Sequence, residues 1–386
     1  MKKNVKCPLI FLLIIFYIFF YLTGMVFAVS TQKADLQDYC WCEMVPAAEE
    51  EGKIVFRTWY YNEYFSEAVS DFQRKYDIKV DLRIIDREKL FDQVMKEKDR
   101  IYGTIDVITV DGIWVKEALE HEVFYGPLEN IVPESSKLDE NLWEIQEGIS
   151  TQKYLSPFLQ NQSVILYNPE RISNPPQTWE EIEGWINAHP KKFGFSDPTK
   201  GISGQAFIYT VIKETTGGIE KYKGDREVVS EKVSNWNIAW EWFNKHMDDL
   251  VIAYSDDHAI DLLIEGKVSM IFAWDNHIRE RMEQEEILSK MGTYIPVMGT
   301  VGDGDTLGLL SNAQNKAAAV VFINFLATKE QQIKKLNMTG AYPARTDIEL
   351  ENTLLEEERK KNKITWFPSP YKKYMIDEFT KNVLSQ

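Results

Sequence analysis

Hydrophobic residues in the first third of the chain follow the periods of strands and helices in turn. Residues 53–59, 78–85 and 105–110 have the apolar runs or the alternation that is typical of strands. Between them, residues 62–76 and 88–96 carry apolar residues three and four positions apart, which is the spacing of one helix face. A further helix is predicted after the third strand. This order predicts a doubly wound α/β unit with a mostly parallel sheet.

The middle of the chain repeats the same pattern and predicts a second α/β unit. Residues 163–167 and 268–273 are apolar runs of strand length. Residues 205–215 and 235–246 have helical spacing, and residues 316–328 are so apolar that a buried helix is predicted. The fold class is therefore α/β.

Composition and charge exclude several classes of protein. The chain has 386 residues, of which 27% are charged and 13% are aromatic. It is an ordinary globular composition, neither disordered nor built of many membrane spans. The formal net charge is −16. Such an acidic chain is not expected to bind nucleic acid, because that binding depends on Lys and Arg to neutralise phosphates.

The N-terminus has the pattern of an export signal. Basic residues precede an unbroken apolar run at 9–22, and Val26 and Ala28 supply small residues before a cleavage site. We therefore predict a signal peptide at 1–28 and a flexible polar leader at 29–50. The alternative is an uncleaved membrane anchor, since the apolar stretch is long enough to cross a bilayer. Either way, the rest of the chain is expected in the periplasm or on the extracellular face.

The cysteines do not suggest catalysis. Cys7 lies inside the predicted signal, and Cys40 and Cys42 flank a single residue. The pair could bridge to each other with strain, pair with another chain, or stay reduced. No Cys directly follows the apolar run, so the sequence lacks the lipid-attachment site of bacterial lipoproteins.

Polar, aromatic and glycine residues follow four of the predicted strands. In open α/β sheets, ligands bind beyond the carboxyl ends of the strands. The residues at these ends are Tyr60, Tyr61, Asn62, Asp111, Trp114, Ser203, Gly204, Gln205, Trp274, Asp275 and Asn276. They have the chemistry of a binding site rather than of a catalytic group.

An enzyme is the alternative class of protein, and the sequence gives little support for it. The five histidines form no His-Glu-x-x-His motif, and neither a Gly-x-Ser-x-Gly elbow nor a phosphate-binding loop is present. Asp256-Asp257-His258 is more typical of a solvated loop than of a metal cluster, and residues 302–305 lack the closing Glu of a calcium loop. A secreted hydrolase stays open, because 60 acidic residues always allow a carboxylate pair.

Several segments resemble one family over nearly all of residues 52–345. They are Thr58–Tyr61, Ile105–Gly112, Phe158–Asn161, Leu166–Glu170, Asn174–Glu181, Leu263–Met270 and Gly340–Ala344. In these segments the chain resembles extracellular solute-binding proteins of family 1, the binding components of ABC importers. It is most similar to a subgroup with poorly defined cargo. The resemblance adds Asn161 and Tyr342 to the expected ligand-binding residues.

The resemblance also implies an architecture and partners. It implies two doubly wound α/β lobes joined by crossing hinge strands, as in type II periplasmic binding proteins, with the ligand between them. The expected N-terminal lobe is 51–157 with 293–345, and the C-terminal lobe is 158–292 with 346–386. The implied protein is a monomer without cofactor or metal that delivers its ligand to a permease driven by a cytoplasmic ATPase. A ligand sensor with the same fold is indistinguishable in sequence.

Three ligand classes fit the candidate residues, and a cation ranks slightly above a sugar. A cation would use the aromatic rings and the carboxylates of Asp111, Asp275 and Asp305. A sugar or polyol would stack on the same rings and bond to Asp, Asn and Gln. An anion ranks third and would use the helix N-terminus at Ser203–Gln205.

Overall fold

The computed structural model describes residues 35–282, 286–350, 358–359 and 361–385. The predicted signal peptide at 1–28 and the beginning of the predicted leader lie outside these residues. Within the described part of the chain, no helix is long and apolar enough to cross a membrane.

The described residues form strands in two large sheets and one small hairpin. The strands are β1 (Lys53–Thr58), β2 (Lys79–Ile84), β3 (Val107–Val110), β4 (Ile145–Gln146), β5 (Ile149–Ser150), β6 (Leu155–Pro157), β7 (Leu159–Tyr167), β8 (Phe193–Ser196), β9 (Leu250–Ala253), β10 (Met270–Trp274), β11 (Gly292–Tyr294), β12 (Thr300–Asp303), β13 (Thr306–Leu309), β14 (Tyr342–Pro343) and β15 (Lys363–Ile364).

Helices cover the faces of the two large sheets. They are α1 (Trp41–Glu51), α2 (Asn62–Tyr76), α3 (Arg87–Glu97), α4 (Gly112–Glu120), α5 (Glu140–Glu144), α6 (Trp179–Ala188), α7 (Ile202–Thr215), α8 (Ser230–Val233), α9 (Asn237–His246), α10 (Asp256–Ile264), α11 (Asp275–Met282), α12 (Lys316–Ala327), α13 (Lys329–Thr339) and α14 (Ser369–Phe379).

The first lobe is built on a five-stranded sheet with the order β2-β1-β3-β13-β6. Strands β1, β2 and β3 are parallel, as the strand–helix alternation predicts, whereas β13 is antiparallel to both of its neighbours. Helix α12 is buried along its whole length after its first residue and packs in the core of this lobe, because almost every residue in it is apolar.

The second lobe is built around the long strand β7. Its sheet has the order β15-β12-β7-β10-β8-β9, and β11 and β14 also pair with β7. Strands β8, β9 and β10 are parallel, and helices α7 and α9 pack on them through a core rich in aromatic rings. The C-terminal helix α14 belongs to the same core.

Two of the crossings between the lobes are hydrogen-bonded to each other. The chain leaves the first sheet between β6 and β7 and returns between β12 and β13. The backbone N–H groups of Phe158 and Leu159, on the outward crossing, both donate to the carbonyl of Asp305 on the return, at 3.0 and 3.2 Å. This confirms the expected class of two α/β lobes joined by crossing strands.

The return crossing comes later in the chain than the sequence suggests. The expected lobe boundaries place residues 293–303 in the first lobe, but β11 and β12 pair with β7 in the second sheet. The short apolar run near Tyr294 fits either sheet by pattern alone, and only the long-range pairing decides between them.

The prediction of a flexible leader at 29–50 is wrong for residues 41–50, nearly half of its length. Residues 41–50 belong to helix α1, which packs against α12. Met44 and Ala48, one helical turn apart, are buried in the first-lobe core. Cys40 and Cys42 are joined by a disulfide at the start of this helix, which decides between the alternatives left open above.

Candidate functional site

A cavity of about 250 Å³ lies where the carboxyl ends of strands from both sheets meet. Its aromatic wall consists of Trp59, Tyr60, Tyr61, Trp274 and Trp366. Its acidic residues are Asp111, Glu147, Asp303 and Asp305. A larger cavity of about 840 Å³ shares Glu147 and Asp303 but has no aromatic residue in its wall. The smaller cavity is the candidate site, because its position and its mixture of rings and carboxylates suit ligand binding.

The loop after β1 forms one side of the cavity. Tyr61 caps helix α2 with φ = 55°, in the left-handed region that few residues other than glycine adopt. Tyr60 and Tyr61 contact each other edge to face at 4.6 Å, and Trp59 packs edge-on against Trp114 at 5.1 Å. Strained backbone is often kept at binding sites because it orients side chains. Here it accompanies a run of three rings in the cavity wall.

Burial raises the pKa of three of the four carboxyl groups of the cavity. Burial raises the pKa of Asp305 to about 8, and the negative charge of Asp111 adds to the effect. Burial also raises the pKa of Glu147, to about 7. The Asp303 pKa is raised by burial as well. Close burial of several acids is unfavourable unless positive charge is nearby.

Two basic side chains offset part of this charge. Arg87 Nη1 lies 2.7 Å from Asp111 Oδ2, and Lys372 Nζ lies 2.5 Å from Glu147 Oε1. In the described part of the chain, neither Asp303 nor Asp305 has a basic group at ion-pair distance. No group of three or more His, Cys, Asp or Glu among the described residues could hold a metal ion.

Four buried oxygen atoms on the cavity residues have no hydrogen-bond partner within the described chain. Glu147 Oε2, Asn161 Oδ1 and Asn276 Oδ1 can only accept, whereas the Tyr60 hydroxyl can also donate. The amide of Asn276 is oriented by its donation to the Tyr61 hydroxyl at 3.3 Å. Buried polar atoms are nearly always paired, so these acceptors indicate a ligand that supplies N–H or O–H donors.

Comparison with known proteins identifies the family. A sequence profile described as bacterial extracellular solute-binding protein matches residues 67–362, which is most of the chain. The chain belongs to this family. A search of curated protein sequences found no significant match.

Solved structures of solute-binding proteins share the fold of this family member. A putative extracellular solute-binding protein from Bordetella parapertussis has 13% identity and a TM-score of 0.70, over 86% of this chain and 99% of that one. The spermidine/putrescine ABC transporter substrate-binding protein PotD from Streptococcus pneumoniae has 14% identity and a TM-score of 0.64, over 86% and 98%. The periplasmic binding protein AfuA from Actinobacillus pleuropneumoniae, with fructose-6-phosphate bound, has 16% identity and a TM-score of 0.61, over 87% and 99%. At these identities the likeness concerns the fold alone.

The cavity of this solute-binding protein brings together half of the residues that the sequence suggests. They are Tyr60, Tyr61, Asp111, Asn161, Trp274, Asn276 and Asp305. Each lies just after a strand or at a crossing between the lobes, except Asn161, which lies early in β7.

The predicted anion site at the start of α7 is already filled by the protein. The amides of Ile202 and Ser203 donate to the carboxylate of Asp256 at 3.0 and 3.1 Å. The amide of Gly204 donates to Ser196 Oγ at 2.8 Å. Gln205 bonds to the carbonyl of Pro198 instead of reaching the cavity. Ser203, Gly204 and Gln205 are therefore not part of the cavity wall.

Four other predicted residues lie outside the wall for separate reasons. Asn62 is exposed on the first turn of α2. Trp114 stacks on Phe91 at 4.8 Å, behind Trp59. Asp275 is buried and accepts the amide N–H of Gln162 at 3.0 Å.

Tyr342 is the fourth of these residues. Its ring is buried, and the guanidinium groups of Arg279 and Arg359 lie 4.0 and 4.4 Å from its centre. The ring thus already contacts two of the protein's own cations.

The structure adds wall residues that the sequence reasoning missed. Trp59 and Asp303 stand next to predicted positions, so a wider reading of the same loops would have found them. Trp366 and Glu147 come from parts of the chain with no strand-end signal. For Glu147 the available signal is the Glu-Gly pair of a tight turn, which indicates a hairpin rather than a site.

Proposed function

We propose that this protein captures a small organic cation between its two lobes, outside the cytoplasm, and delivers it unchanged to the permease of an ABC importer. Family membership supports binding and transport over the hydrolase alternative. The two-lobed fold with crossing strands suits hinge closure over a ligand. A predicted signal peptide, or an uncleaved anchor, would place the protein on the outer side of the membrane.

The observation that carries the ligand class is the chemistry of the cavity wall. Four carboxylates and five aromatic rings surround the cavity, and three of its four unpartnered buried oxygen atoms can only accept hydrogen bonds. An ammonium group donates hydrogen bonds, carries the missing positive charge and is attracted to ring faces. An organic cation satisfies all three features at once.

An anion fits this cavity poorly. Its most suitable amides, at the start of α7, bond to Asp256 and Ser196. The guanidinium of Arg87 is paired with Asp111. A bound anion would therefore lie beside carboxylates, while the guanidinium group of the wall is already paired.

The cavity volume favours a compact ligand. About 250 Å³ lies just below the usual range of ligand pockets, which begins near 300 Å³. A single ring or a short amine fits this space better than an oligosaccharide does. A monosaccharide remains the main competitor, since it could stack on the same rings.

A thermal-shift screen tests the proposal. The protein is unfolded and refolded to remove carried ligand and is then mixed with three sets of compounds: amines and quaternary ammonium ions, sugars and polyols, and oxyanions. A ligand at 100 times its Kd stabilises by about 2.7 kcal/mol, which raises the Tm by several degrees. We expect hits confined to the cation set, with the compound recovered unchanged. Hits confined to sugars or to oxyanions would overturn the ligand class but not the binding function.

A further inference from the structure

Glu147 occupies a position that the fold alone does not favour. It is the first residue of the two-residue turn between β4 and β5, with φ = 43°, and Gly148 follows with φ = 69°. Two consecutive positive φ values are typical of a type I′ turn, in which Asn, Asp or Gly is preferred at the first position. Glu147 is also only 7% exposed, so the chain accepts both backbone strain and a buried acid here.

The surroundings of Glu147 leave room for it beside the cavity. A Cβ atom on Gly112 would lie 2.2 Å from Glu147 Cγ, so only glycine at the start of α4 accommodates this side chain. The amide of Glu147 donates to Asp303 Oδ2 at 3.0 Å, and the neighbouring Gln146 donates to the carbonyl of Val110 at 3.0 Å. The turn is thus fixed against both lobes.

The two carboxylate oxygens of Glu147 have different environments. Oε1 accepts from Lys372 Nζ at 2.5 Å, whereas Oε2 is buried and has no donor in the described chain. Glu147 lies in the cavity wall. The second oxygen is therefore available to a ligand, while the first is held by the protein.

Lys372 reaches Glu147 from the other lobe. It lies on α14, which packs in the second-lobe core, and its ammonium group sits 4.6 Å from the ring centre of Trp366, itself part of the cavity wall. Burial lowers the Lys372 pKa, but the charges of Glu147 and Asp111 outweigh burial and raise it. A charged lysine next to Glu147 counters the effect of burial on that carboxyl and favours its ionised form.

We infer that Glu147 is a ligand-binding residue that accepts a hydrogen bond from the ligand's ammonium group through Oε2, and that Lys372 is a positioning residue that holds Oε1 and favours the carboxylate form of Glu147. The inference rests on the proposed cation function. Because the pair joins the two lobes, this part of the site is assembled only when the lobes are together.

The first test measures cation affinity in the Glu147→Gln variant. The probes are 1,4-diaminobutane and spermidine, whose ammonium groups carry N–H donors, and choline and thiamine, whose quaternary nitrogens carry none, with binding followed by calorimetry on the full mature chain. We expect Glu147→Gln to weaken the tighter of the two amines about 10- to 150-fold, the range for a hydrogen bond to a charged group. The control Glu140→Gln, on an exposed residue, should leave affinity within twofold. Unchanged affinity in Glu147→Gln would overturn the inference alone, whereas no binding by the wild type would overturn it together with the cation proposal.

The second test separates positioning by Lys372 from a purely structural role. Cation affinity is measured from pH 5 to pH 9 in Lys372→Met, Lys372→Arg and the exposed control Lys373→Met. The charged groups that interact with Glu147 are Asp111 at the start of α4, Asp303 from β12, Asp305 from the return crossing and Lys372 from α14. Without the lysine charge, the pH below which cation affinity is lost should rise by about one unit or more, and Lys372→Arg should restore it. A lower Tm with an unchanged pH profile would show that Lys372 only stabilises the fold.

Discussion

The two lobes contribute different chemistry to the same cavity. The first lobe and the return crossing supply the tyrosines and most of the acids, namely Tyr60, Tyr61, Asp111, Glu147 and Asp305. The second lobe supplies two indole rings and an amide, from Trp274, Trp366 and Asn276, and a single acid, Asp303 at the end of β12. Most of the charge therefore lies on one side of the cleft, whereas the rings come from both sides, three of them from the loop after β1. If the ligand is a cation, removing a carboxylate should weaken binding more than removing a ring.

Removing the charge of Asp305 should have the largest effect on binding. In the described chain no basic group lies at ion-pair distance from Asp305, so Asp305→Asn removes a charge that a bound cation would offset. We expect cation affinity to fall about 10- to 150-fold, measured by calorimetry at pH 9, where the carboxyl of the wild type is ionised. The Tm of the ligand-free protein should rise or stay unchanged, because a buried like-charge repulsion is removed. An equal loss in the exposed variant Asp99→Asn would show that the effect is only long-range electrostatics.

The pH dependence of stability and of cation affinity should distinguish recognition by the carboxylates from recognition by the rings. The Asp305 pKa of about 8 lies above its value in the unfolded chain, so the folded protein holds more protons between about pH 4 and pH 8. Stability of the ligand-free protein should thus fall as pH rises through this window. Cation affinity should rise over the same window, by at most about tenfold per pH unit for each proton released. Calorimetry in buffers of different ionisation enthalpy would detect those protons, and a flat profile would contradict the acidic recognition.

Truncating an aromatic residue should weaken binding less than removing a charge does. A cation–π contact contributes about 0.5–2 kcal/mol, so Trp274→Ala and Tyr60→Ala should each reduce cation affinity by roughly two- to thirtyfold. Trp274 is only 4% exposed and belongs to the second-lobe core. Its truncation should also cost stability, by about 3–5 kcal/mol, because a large buried ring leaves a cavity. Affinity must therefore be measured well below the Tm of each variant, and Trp274→Phe provides the control that keeps a ring in place.

The sequence predicts the strands and helices of the fold better than the lobe to which each segment belongs. Apolar periodicity is a local signal, and it identified the parallel strands and the core helix α12. The side of the cleft to which residues 293–303 belong depends on pairing with β7, which is distant in sequence. The same distinction explains the site. Residues directly after strands, such as Tyr60 and Asp111, are predictable from the rule that ligands bind at strand ends.

Glu147 and Trp366 show what local patterns omit. Glu147 enters the cavity because a tight hairpin folds against α4, and Trp366 enters because the C-terminal segment returns to the cleft. Neither position carries a motif. The predicted anion site at Ser203 is wrong for the opposite reason. Its local pattern suits an anion, but Asp256, fifty-three residues away, already accepts a hydrogen bond from its amide.

The smallest effect on cation affinity is expected at the start of α7, whose amides are already bonded within the protein. Ser203 is buried outside the cavity wall, so Ser203→Ala should leave cation affinity within about twofold of the wild type. The measurement is a calorimetric titration with the same cation used for Asp305→Asn. The companion variant Asp256→Asn removes the carboxylate charge that faces the amides of Ile202 and Ser203. It should lower the Tm, because the cap is weakened, and phosphate should stabilise it more than it stabilises the wild type. A large loss of cation affinity in Ser203→Ala would place the ligand against α7. It would contradict the assignment of cation recognition mainly to the carboxylates of the first lobe.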